Sequence, residues 1–391
     1  MKRINPYYFV PLGKTGPKRI PWDDVSKHYR LDEDMYSGRL HLVLHTISPV
    51  FIPSYLEEDI IEEPVQTRRG EGYKRTYKRF HHRDGKPTIP ASSIKGMIRS
   101  VFETLTNSCM ALFAVTYGKR HSRIYPAPNF RHEDCNLENG LCPACSVFGT
   151  ILGDELHLQG KVRFGEAVGS GSEIEKGEWT LKELSGPKPE RHAPFYARDG
   201  RNESSGPKGR KFYYHHNPQQ VVQQSYTTTS VHSHRNRKIL ERLKRGAQLS
   251  GIVDFQNLTR EQVAHLLYAI ELEYAMEEKE GKKRFAFSSG HKIGMGKPLG
   301  LGSLVVVISK GTITKGASRY LSFEQEKAKD LREEIEAFRK EVTPPSPGFR
   351  DLFSFLKYRQ GTIGYPENSW FDTPANRGRP LGDLGVFDDE R

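Results

Sequence analysis

Two adjoining stretches, QLSGIVDFQ at residues 248–256 and TREQVAHLLYAIELEYA at residues 259–275, decide the fold of this chain. The first stretch predicts a β-strand. The second predicts an amphipathic helix that has Thr259 as its N-cap. The apolar face of this helix is formed by Val263, Leu266, Leu267, Ile270 and Tyr274. A strand therefore runs almost directly into a capped helix.

Four further segments extend this pattern along the chain. Strands are predicted at residues 39–47 (RLHLVLHTI), 160–168 (GKVRFGEAV) and 302–309 (GSLVVVIS), and a helix at residues 93–106 with Ser92 as its N-cap. The resulting order is strand, helix, strand, strand, helix, strand. This order predicts an α+β fold with a ferredoxin-like or RRM-like βαββαβ core, in which two helices cover one face of a four-stranded antiparallel sheet.

Large insertions interrupt the predicted core. Residues 48–90 are predicted to form a long charged loop, residues 107–159 contain the cysteines, and residues 170–247 are poor in apolar side chains. The last insertion includes the stretch KFYYHH at residues 211–216, which predicts one strand of a protruding, thumb-like hairpin. We therefore expect one domain at residues 1–310 that carries two insertions.

Residues 311–391 are predicted to form a C-terminal extension that contains a helix. This helix has one narrow apolar seam, which would dock onto the core of the chain itself or, alternatively, onto a partner helix. The seam consists of Ala328, Leu331, Ile335, Phe338 and Val342.

Charge and composition restrict the class of protein. The 391 residues include 60 Lys and Arg against 48 Asp and Glu, a formal net charge of +12 that favours polyanionic partners. No apolar run approaches the roughly 18 residues that span a bilayer, so no membrane partner is expected. The start of the chain lacks the pattern of a signal peptide, and a cytoplasmic location is predicted. Four cysteines are too few for a disulfide framework in a chain of this length.

Positive charge is concentrated in residues 68–86, RRGEGYKRTYKRFHHRDGK, where eight Lys or Arg face two acids. Tyr73, Tyr77 and Phe80 alternate with these cations. Aromatic rings stack on unpaired bases and cations hold the backbone, which suits a single-stranded nucleic acid. A solvated basic loop is the alternative. The candidate RNA contacts in this run are Lys74, Arg75, Lys78 and Arg79.

Two motifs carry the chemistry of an anion site. The first, IPASSIKGMIR at residues 89–99, delivers hydroxyls, a lysine and a glycine to the first turn of a helix, where free N–H groups and the helix dipole favour an anion. Capping of the helix is the structural alternative. The second, GHKIGMGKPLGLG at residues 290–302, has five glycines and two lysines but neither a Walker spacing nor a following helix. A plain irregular turn is its alternative.

A third motif is typical of a structural metal site. His132, Cys135, Cys142 and Cys145 follow the spacing H-x2-C-x6-C-x2-C, which suits tetrahedral Zn²⁺ with no open position. Cys109, or another histidine such as His121, is an alternative to His132 as the fourth ligand. Reduced thiols without a metal are the other interpretation.

Together these motifs resemble the RAMP superfamily of CRISPR-associated proteins. Its members carry a turn similar to residues 89–96 before the first helix and a glycine-rich loop similar to residues 290–302. The segment CPACSVFGT at residues 142–150 and the opening NPYYFVPL at residues 5–12 also look like elements of the family, the latter like a type III-D subgroup. The resemblance covers roughly residues 5–310. Ala91 departs from it, because the family commonly has glycine there.

The resemblance implies a backbone subunit of a type III CRISPR ribonucleoprotein effector complex, active in antiviral defence. Such a subunit binds guide crRNA and target RNA, contacts other RAMP subunits, and in several relatives holds a structural zinc ion. Carried over by position, the residues implied to contact RNA are Ser92, Ser93, Lys95, Arg99, Gly294, Gly296 and Lys297.

The resemblance leaves open whether the chain is an enzyme. Some members are endonucleases that cut target RNA with a divalent metal such as Mg²⁺ and an aspartate between the first strand and first helix. Asp59 and Asp84 are the candidates here. Other members process guide RNA without a metal through a histidine base, for which the histidine pairs at residues 81–82 and 215–216 are candidates. A purely structural RNA-binding subunit is the third alternative.

Overall fold

In a computed structural model of the protein, part of the chain is described in detail. The described residues are 6–25, 32–67, 70–110, 131–152, 156–181, 196, 207–216, 236–272, 275–279, 282–286, 289–316, 327–341, 352, 355–357 and 375. The predictions on His121 and on most of the 170–247 insertion fall outside these residues.

The described part is rich in strands and mixed α+β in class. The strands are β1 (Tyr7–Pro11), β2 (Tyr36–Thr46), β3 (Ile60–Thr67), β4 (Gly70–Tyr77), β5 (His82–Arg83), β6 (Lys86–Ile89), β7 (Gly149–Leu152), β8 (Leu156–Gln159), β9 (Val162–Phe164), β10 (Ala167–Val168), β11 (Ile174–Leu181), β12 (Gly209–Tyr213), β13 (Arg237–Leu243), β14 (Gln248–Leu258), β15 (Ala275–Lys279), β16 (Lys282–Ala286), β17 (His291–Lys292) and β18 (Ser303–Lys315). The helices are α1 (Trp22–Val25), α2 (Ala91–Leu105), α3 (Pro143–Phe148), α4 (Arg260–Ile270) and α5 (Arg332–Glu341).

The main sheet has the strand order β17-β18-β2-β14-β10-β6-β5, and β9 also pairs with β14. β2 lies at the centre and is antiparallel to both β18 and β14. Because side chains alternate along a strand, Leu40, Leu42 and Leu44 of β2 all enter the core on one face. The predicted strands at residues 39–47, 248–256 and 302–309 correspond to β2, β14 and β18.

Two helices are built into the core. Ile94, Ile98 and Phe102 of α2 are buried, as are Val263 and Leu267 of α4. Phe102 packs edge-on against Phe148 of α3, with the ring centroids 5.2 Å apart. These contacts place the first turn of α2 at the edge of the core.

The ends of the two helices agree with the sequence in one case and differ in the other. Thr259 caps α4 as predicted, and a capping box with Gln262 satisfies the first backbone N–H groups. Ser92 is not the cap of α2, because the helix begins at Ala91 and Pro90 occupies the cap position. No side chain caps this helix, so its first N–H groups lack a side-chain acceptor.

Two details of the predicted elements were wrong. Residues 160–168 form two short strands, β9 and β10, which both run antiparallel to β14 and are separated by a one-residue irregularity at Gly165 and Glu166. The stretch at residues 211–216 contributes to β12, and among the described residues its partner is β1 rather than a neighbouring hairpin strand. The two strands pair because the aromatic YYFVP stretch of the N-terminus buries Tyr7 and Phe9 against it.

The region at residues 48–90 is not a loop, since it contains the hairpins β3–β4 and β5–β6. The β3–β4 hairpin continues into a second sheet with the order β11-β13-β4-β3. Its two strands carry opposite charges, and Glu63 and Glu62 form ion pairs with Lys74 and Arg75. Cross-strand charge pairing therefore replaces the apolar alternation that marks an ordinary strand in a sequence.

The C-terminal helix α5 packs on α4, as expected for a helix that docks onto its own core. Leu331, Ile335 and Phe338 of its apolar seam are buried. The strand β18 runs to Lys315, five residues past the boundary expected at residue 310. None of the helices in the described ranges has both the length and the apolar character of a transmembrane span.

Candidate functional site

The two glycine-containing motifs meet in one pocket of about 400 Å³. Ser92, Ser93 and Gly96 of α2 line one wall, and Lys292, Gly294 and Lys297 of the glycine-rich segment line the opposite one. A third wall comes from Lys211, Phe212 and Tyr213 of β12, and Leu356 from the C-terminal part closes a side. Elements that are distant in the sequence therefore form a single cavity.

The glycine-rich wall is held in place by the segment that follows β2, where Phe51 and Met295 form an isolated β-bridge. Met295 donates a backbone hydrogen bond to the carbonyl of Phe51 at 2.8 Å. Gly294 has a φ of 78°, and a Cβ there would lie 2.4 Å from the same Phe51 oxygen. Glycine is thus required at position 294 by the backbone conformation and by this close approach.

Gly96 is a glycine of a different kind. It lies within α2 with ordinary helical dihedral angles, and a Cβ added to it would meet no atom within 4 Å. The fold itself gives no reason for glycine at this helical position. Gly96 faces the pocket, so the missing side chain leaves room there for a ligand.

Three lysine ammonium groups converge on the pocket. Lys211 Nζ lies 3.8 Å from the ring centroid of Tyr7 and 4.7 Å from that of Tyr213. Lys297 Nζ lies 5.4 Å from the Tyr213 ring. Lys292 Nζ donates a hydrogen bond to the carbonyl of Leu301 at 2.9 Å. Within the described ranges, none of these three lysines forms an ion pair with an acid.

The surroundings of these lysines lower their pKa values. Burial, with a further contribution from the charge of Lys297, lowers the pKa of Lys292 to about 7 and that of Lys211 to about 8. Lys211 as a whole residue is exposed, but its ammonium group lies over the rings of Tyr7 and Tyr213, which accounts for the direction of its pKa shift. Burial also lowers the pKa of Lys297. Three cations that have no acidic partner among the described residues, beside a helix start without a side-chain cap, define a site for an anion.

Four predicted RNA contacts, Ser92, Ser93, Gly294 and Lys297, lie in the pocket wall. Lys95, Arg99 and Gly296 are not part of its lining. Arg99 instead pairs with Glu103 at 2.7 Å and donates to the carbonyl of Gly149 at 3.2 Å.

The predicted contacts in the basic run lie on another element. Lys74 and Arg75 belong to β4 and pair with acids of β3. Lys78 donates to the carbonyl of Glu58 at 2.7 Å, and Arg79 follows next in the chain. Much of the charge on this hairpin is therefore compensated locally.

Sequence reasoning missed Lys211 and Tyr213 as pocket residues. Part of the signal for Lys211 was in the sequence, because the KFYYHH stretch was predicted to form a strand and Lys211 is its first residue. Only the pairing of β12 with β1 turns Lys211 toward the glycine-rich segment. Lys292 was noted as a charge of the glycine-rich motif but was not selected as a contact.

The two aspartates predicted for metal-dependent cutting lie in separate elements. Asp59 ends a short 3₁₀ helix at Glu57–Asp59 and is buried. Asp84 and Gly85 form the two-residue turn between β5 and β6, with φ angles of 49° and 72°. Asp-Gly is a preferred sequence for such a turn, so Asp84 has a structural role in the hairpin.

All four cysteines of the chain are brought together in the core. The Sγ atoms of Cys109, Cys135, Cys142 and Cys145 lie within 4.8 Å of one another, and all four residues are buried. Cys109 lies 3.5 Å from Cys142 and 3.7 Å from Cys145. Four thiolates about 2.3 Å from a tetrahedral zinc ion would be about 3.8 Å apart. The donor set therefore fits one metal ion.

Cys109 is the fourth member of this group, and the first choice from the sequence, His132, was wrong. His132 Nε2 instead shares a hydrogen bond of 2.7 Å with Asn107 Oδ1. The spacing misled because Cys109 lies 26 residues before Cys135 in the sequence, across a segment that carries no motif. The return of the chain beside the end of α2 makes it a neighbour.

The surroundings of the sulfur atoms match those of metal-bound thiolates. Backbone N–H groups of Cys142 and Cys145 donate to the Sγ atoms of Cys135 and Cys142 at 3.1 and 3.4 Å. Arg19 donates to Cys135 at 3.1 Å and Arg99 to Cys145 at 3.6 Å. Without a metal the four thiols share hydrogen bonds, Cys109 first, that lower the pKa of Cys142, while the pKa values of Cys109, Cys135 and Cys145 are raised, so the group releases one proton readily. Two guanidinium groups would offset the negative charge of a divalent ion with four thiolates.

Comparison with known proteins assigns the chain to a family. Residues 43–305 match the family model of the RAMP superfamily, and the chain belongs to this superfamily. Among solved structures it is similar to the crystal structure of Thermofilum pendens Csc2, with 12% identity, 82% of this chain and 86% of that chain covered, and a TM-score of 0.32. No curated protein matches the sequence.

Proposed function

We propose that this chain is a guide-RNA-binding backbone subunit of a type III CRISPR effector complex and that the lysine pocket holds a phosphate of the guide. The observation that carries the proposal is the convergence of Lys211, Lys292 and Lys297, without an acidic partner in the described ranges, on the start of α2. Membership of the RAMP superfamily supports RNA as the polyanion.

The chemistry of the pocket suits a nucleotide better than a simple ion. Ser92 and Ser93 offer hydroxyl groups that can donate to phosphate oxygens, and the first N–H groups of α2 add further donors. The ring of Tyr213 supplies a flat surface beside the cations. A cavity of about 400 Å³ is larger than one phosphate requires. The open helix position at Gly96 leaves room for the sugar-phosphate backbone.

The central part of the fold supports the same assignment. The strands β18, β2, β14 and β9 lie in this spatial order, and the helices α2 and α4 follow β2 and β14 in the sequence. We propose that these elements are the ferredoxin-like core and that the remaining strands are insertions into it. The start of the first core helix is then the place where the guide lies.

The cysteine cluster is proposed to hold a structural Zn²⁺ ion. Four buried thiols with intervening N–H···S hydrogen bonds leave no open coordination position for a substrate. A zinc ion bound there would cross-link α3 to the end of α2. The other partners proposed are target RNA and further RAMP subunits of the complex.

The proposal is tested by the affinity of the purified chain for a fluorescently labelled single-stranded guide RNA over a range of salt concentrations. A variant with Lys211, Lys292 and Lys297 changed to Gln should bind at least about 100-fold more weakly, and its salt slope should fall by about two. The matched control changes the exposed Lys14, Lys310 and Lys327 to Gln, which removes three lysines outside the pocket and outside the basic run at residues 68–86. Equal losses in both variants would mean that general charge, not the pocket, binds RNA.

Target-RNA cleavage through Asp59 or Asp84 stays a prediction. The assembled complex with guide and labelled complementary RNA, with Mg²⁺ or EDTA, tests it in Asp59→Ala and Asp84→Ala variants. Loss of one specific cut with guide binding intact would identify the acid. No observation favours guide processing, since His215 and His216 are buried and His82 Nδ1 lies 2.7 Å from the carbonyl oxygen of Phe80.

A further inference from the structure

A network of three side chains, each between 10% and 27% exposed, lies between the cysteine cluster and the lysine pocket. Glu103 of α2 receives Arg99 Nε at 2.7 Å on one carboxylate oxygen and Arg210 Nη1 at 3.1 Å on the other. Arg210 is almost fully buried, with 10% of its side chain exposed. Glu103 is therefore shared by two guanidinium groups from different elements.

Both arginines also reach the cysteine cluster. Arg99 donates to Cys145 Sγ at 3.6 Å. Arg210 Nη2 donates to the carbonyls of Ser108 and Cys109 at 2.5 and 2.7 Å. The segment that carries Cys109 is thus the acceptor for the buried guanidinium of Arg210. Its position depends on whatever holds Cys109 next to the other cysteines.

On the other side, both arginines belong to elements that form the pocket. Arg210 immediately precedes Lys211 and Phe212 in β12, and these two residues form a pocket wall. Arg99 lies on α2, whose Ser92, Gly96 and Ser100 form another wall. The network therefore fixes the distance between Lys211 and the start of α2.

The energetics make this connection strict. A buried guanidinium that loses its acceptors is strongly destabilising, so Arg210 stays in place only while Glu103 and both carbonyls are ordered. Loss of order at Cys109 would remove two of its acceptors. The strand that carries Lys211 would then shift until Arg210 found new partners.

We propose that the metal-loaded cysteine cluster positions Lys211 through Arg210 and Glu103, so that the affinity of the pocket for RNA depends on the metal. Arg210 and Glu103 are positioning residues, since neither lines the pocket. This inference rests on the proposed function, because RNA is the ligand whose affinity reports the position of Lys211.

The first experiment compares the zinc-loaded full chain with the same chain stripped by a chelator under reducing conditions, and then reloaded. Labelled single-stranded RNA is the probe. Metal removal should weaken RNA binding about tenfold, the effect of one lost charged contact, and reloading should restore it. Glu103→Gln should weaken binding to a similar extent while it retains one zinc ion per chain. Asp254→Asn is the control, because it breaks an exposed ion pair with Arg39 outside both sites.

A double-mutant cycle separates positioning from a general loss of structure. In a Lys211→Met background, neither Glu103→Gln nor metal removal should weaken RNA binding further, because the side chain that they position is absent. Persistent effects in that background would overturn the inference, as would unchanged RNA affinity of the metal-free wild type. If the metal-free chain unfolds, zinc-loaded proteins alone provide the test. The effect of Glu103→Gln on RNA affinity is then compared between the wild type and the Lys211→Met background.

A measurement without RNA distinguishes failure of this inference from failure of the proposed function. The rate at which an amine-reactive reagent labels Lys211, followed by mass spectrometry, should change when Glu103 is replaced or the metal is removed. An unchanged rate would overturn the coupling whether or not RNA binds. Absence of RNA binding by the loaded wild type together with a changed rate would overturn the proposed function alone.

Discussion

At the scale of single residues, two glycines of the pocket differ in what they require. Gly294 has a left-handed backbone conformation and lies against the Phe51 carbonyl, so the fold demands it. Gly96 has no such constraint and lies in a helix, where glycine is unfavourable by about 1 kcal/mol relative to alanine. A residue that weakens its own helix without a packing reason is understandable if a ligand approaches it closely.

Replacement of Gly96 by Ala is expected to separate stability from binding. The free energy of unfolding should rise by about 1 kcal/mol because of helix propensity, while RNA affinity should fall several-fold because the methyl group enters the pocket. Chemical denaturation and RNA titration measure the two quantities. Gly294→Ala is the matched control and should lower stability by about 1–2 kcal/mol. Unchanged RNA affinity in Gly96→Ala would argue against a ligand at this wall.

Lys292 is expected to reduce the stability of the free protein. Its pKa of about 7 lies below that of an unfolded lysine, near 10.4, so the unfolded chain binds more protons between these values. The destabilisation by its charge is complete below pH 7 and disappears as the pH rises toward 10.4. Lys292→Met should therefore raise the melting temperature by about 2–4 °C for each kcal/mol recovered. The gain should be largest near pH 6 and smallest near pH 10, and a gain that grows with pH would contradict the assignment.

At the scale of elements, charge patterns were harder to interpret than apolar ones. Asp59, in the acidic stretch at residues 57–63, was a candidate for metal-dependent cutting, and the basic run at residues 68–86 was a candidate for RNA binding. In the structure they are partly the two strands of one hairpin, and Glu62 and Glu63 pair with Arg75 and Lys74. Strands with polar side chains on both faces have no period that distinguishes them from a loop.

The helix α4, in contrast, is specified locally, which gives a direct test. Thr259 Oγ1 accepts a hydrogen bond from the backbone N–H of Gln262 at 3.1 Å, and the backbone N–H of Thr259 donates one to Gln262 Oε1 at 3.0 Å. Thr259→Ala should lower the free energy of unfolding by about 1 kcal/mol. RNA affinity should not change, because this cap lies outside the pocket lining. Thr259→Ser, which keeps the hydroxyl, should retain most of the stability in the same denaturation experiment.

At the scale of the whole molecule, the chain combines a net charge of +12 with a site where some of the positive charge is buried. The overall charge attracts any polyanion and is screened by salt. The buried lysines respond differently, because burial keeps their pKa values low until an anion arrives. RNA binding in the pocket should therefore depend on pH, and this dependence distinguishes it from RNA binding to the rest of the charged surface.

RNA affinity is expected to fall as the pH rises from 6.5 to 9. A phosphate favours the ammonium form and raises the pKa values of Lys292 and Lys211 from about 7 and about 8. Binding then takes up protons, and the dissociation constant should increase by up to about tenfold per pH unit for each proton. Calorimetric titrations of the protein with RNA, in two buffers of different ionisation enthalpy, measure this proton uptake. In a variant that combines Lys211→Met with Lys292→Met, RNA affinity should no longer depend on pH. If the affinity of this variant still falls with pH as in the wild type, the groups that titrate are other residues.

The sequence alone determined the elements whose information is local. The apolar periods of β2, α4 and β18, the Thr259 cap and the two glycine-containing motifs were all recognisable, because neighbouring residues specify such elements by themselves. The motifs were also sufficient to indicate the superfamily. Ser92, Ser93, Gly294 and Lys297, which the motifs predicted as RNA contacts, all line one pocket; that they contact RNA stays a prediction.

Only the tertiary structure decided which distant residues meet. Lys211 enters the pocket because β12 pairs with β1, Cys109 replaces His132 because the chain returns beside the end of α2, and Arg99 lies against Glu103 rather than in the pocket. Each of these contacts joins segments whose relative position is set by the packing of the core and not by spacing in the sequence. A buried cation, thiol or guanidinium is placed by the partners that satisfy it, and those partners become visible only when the chain is folded.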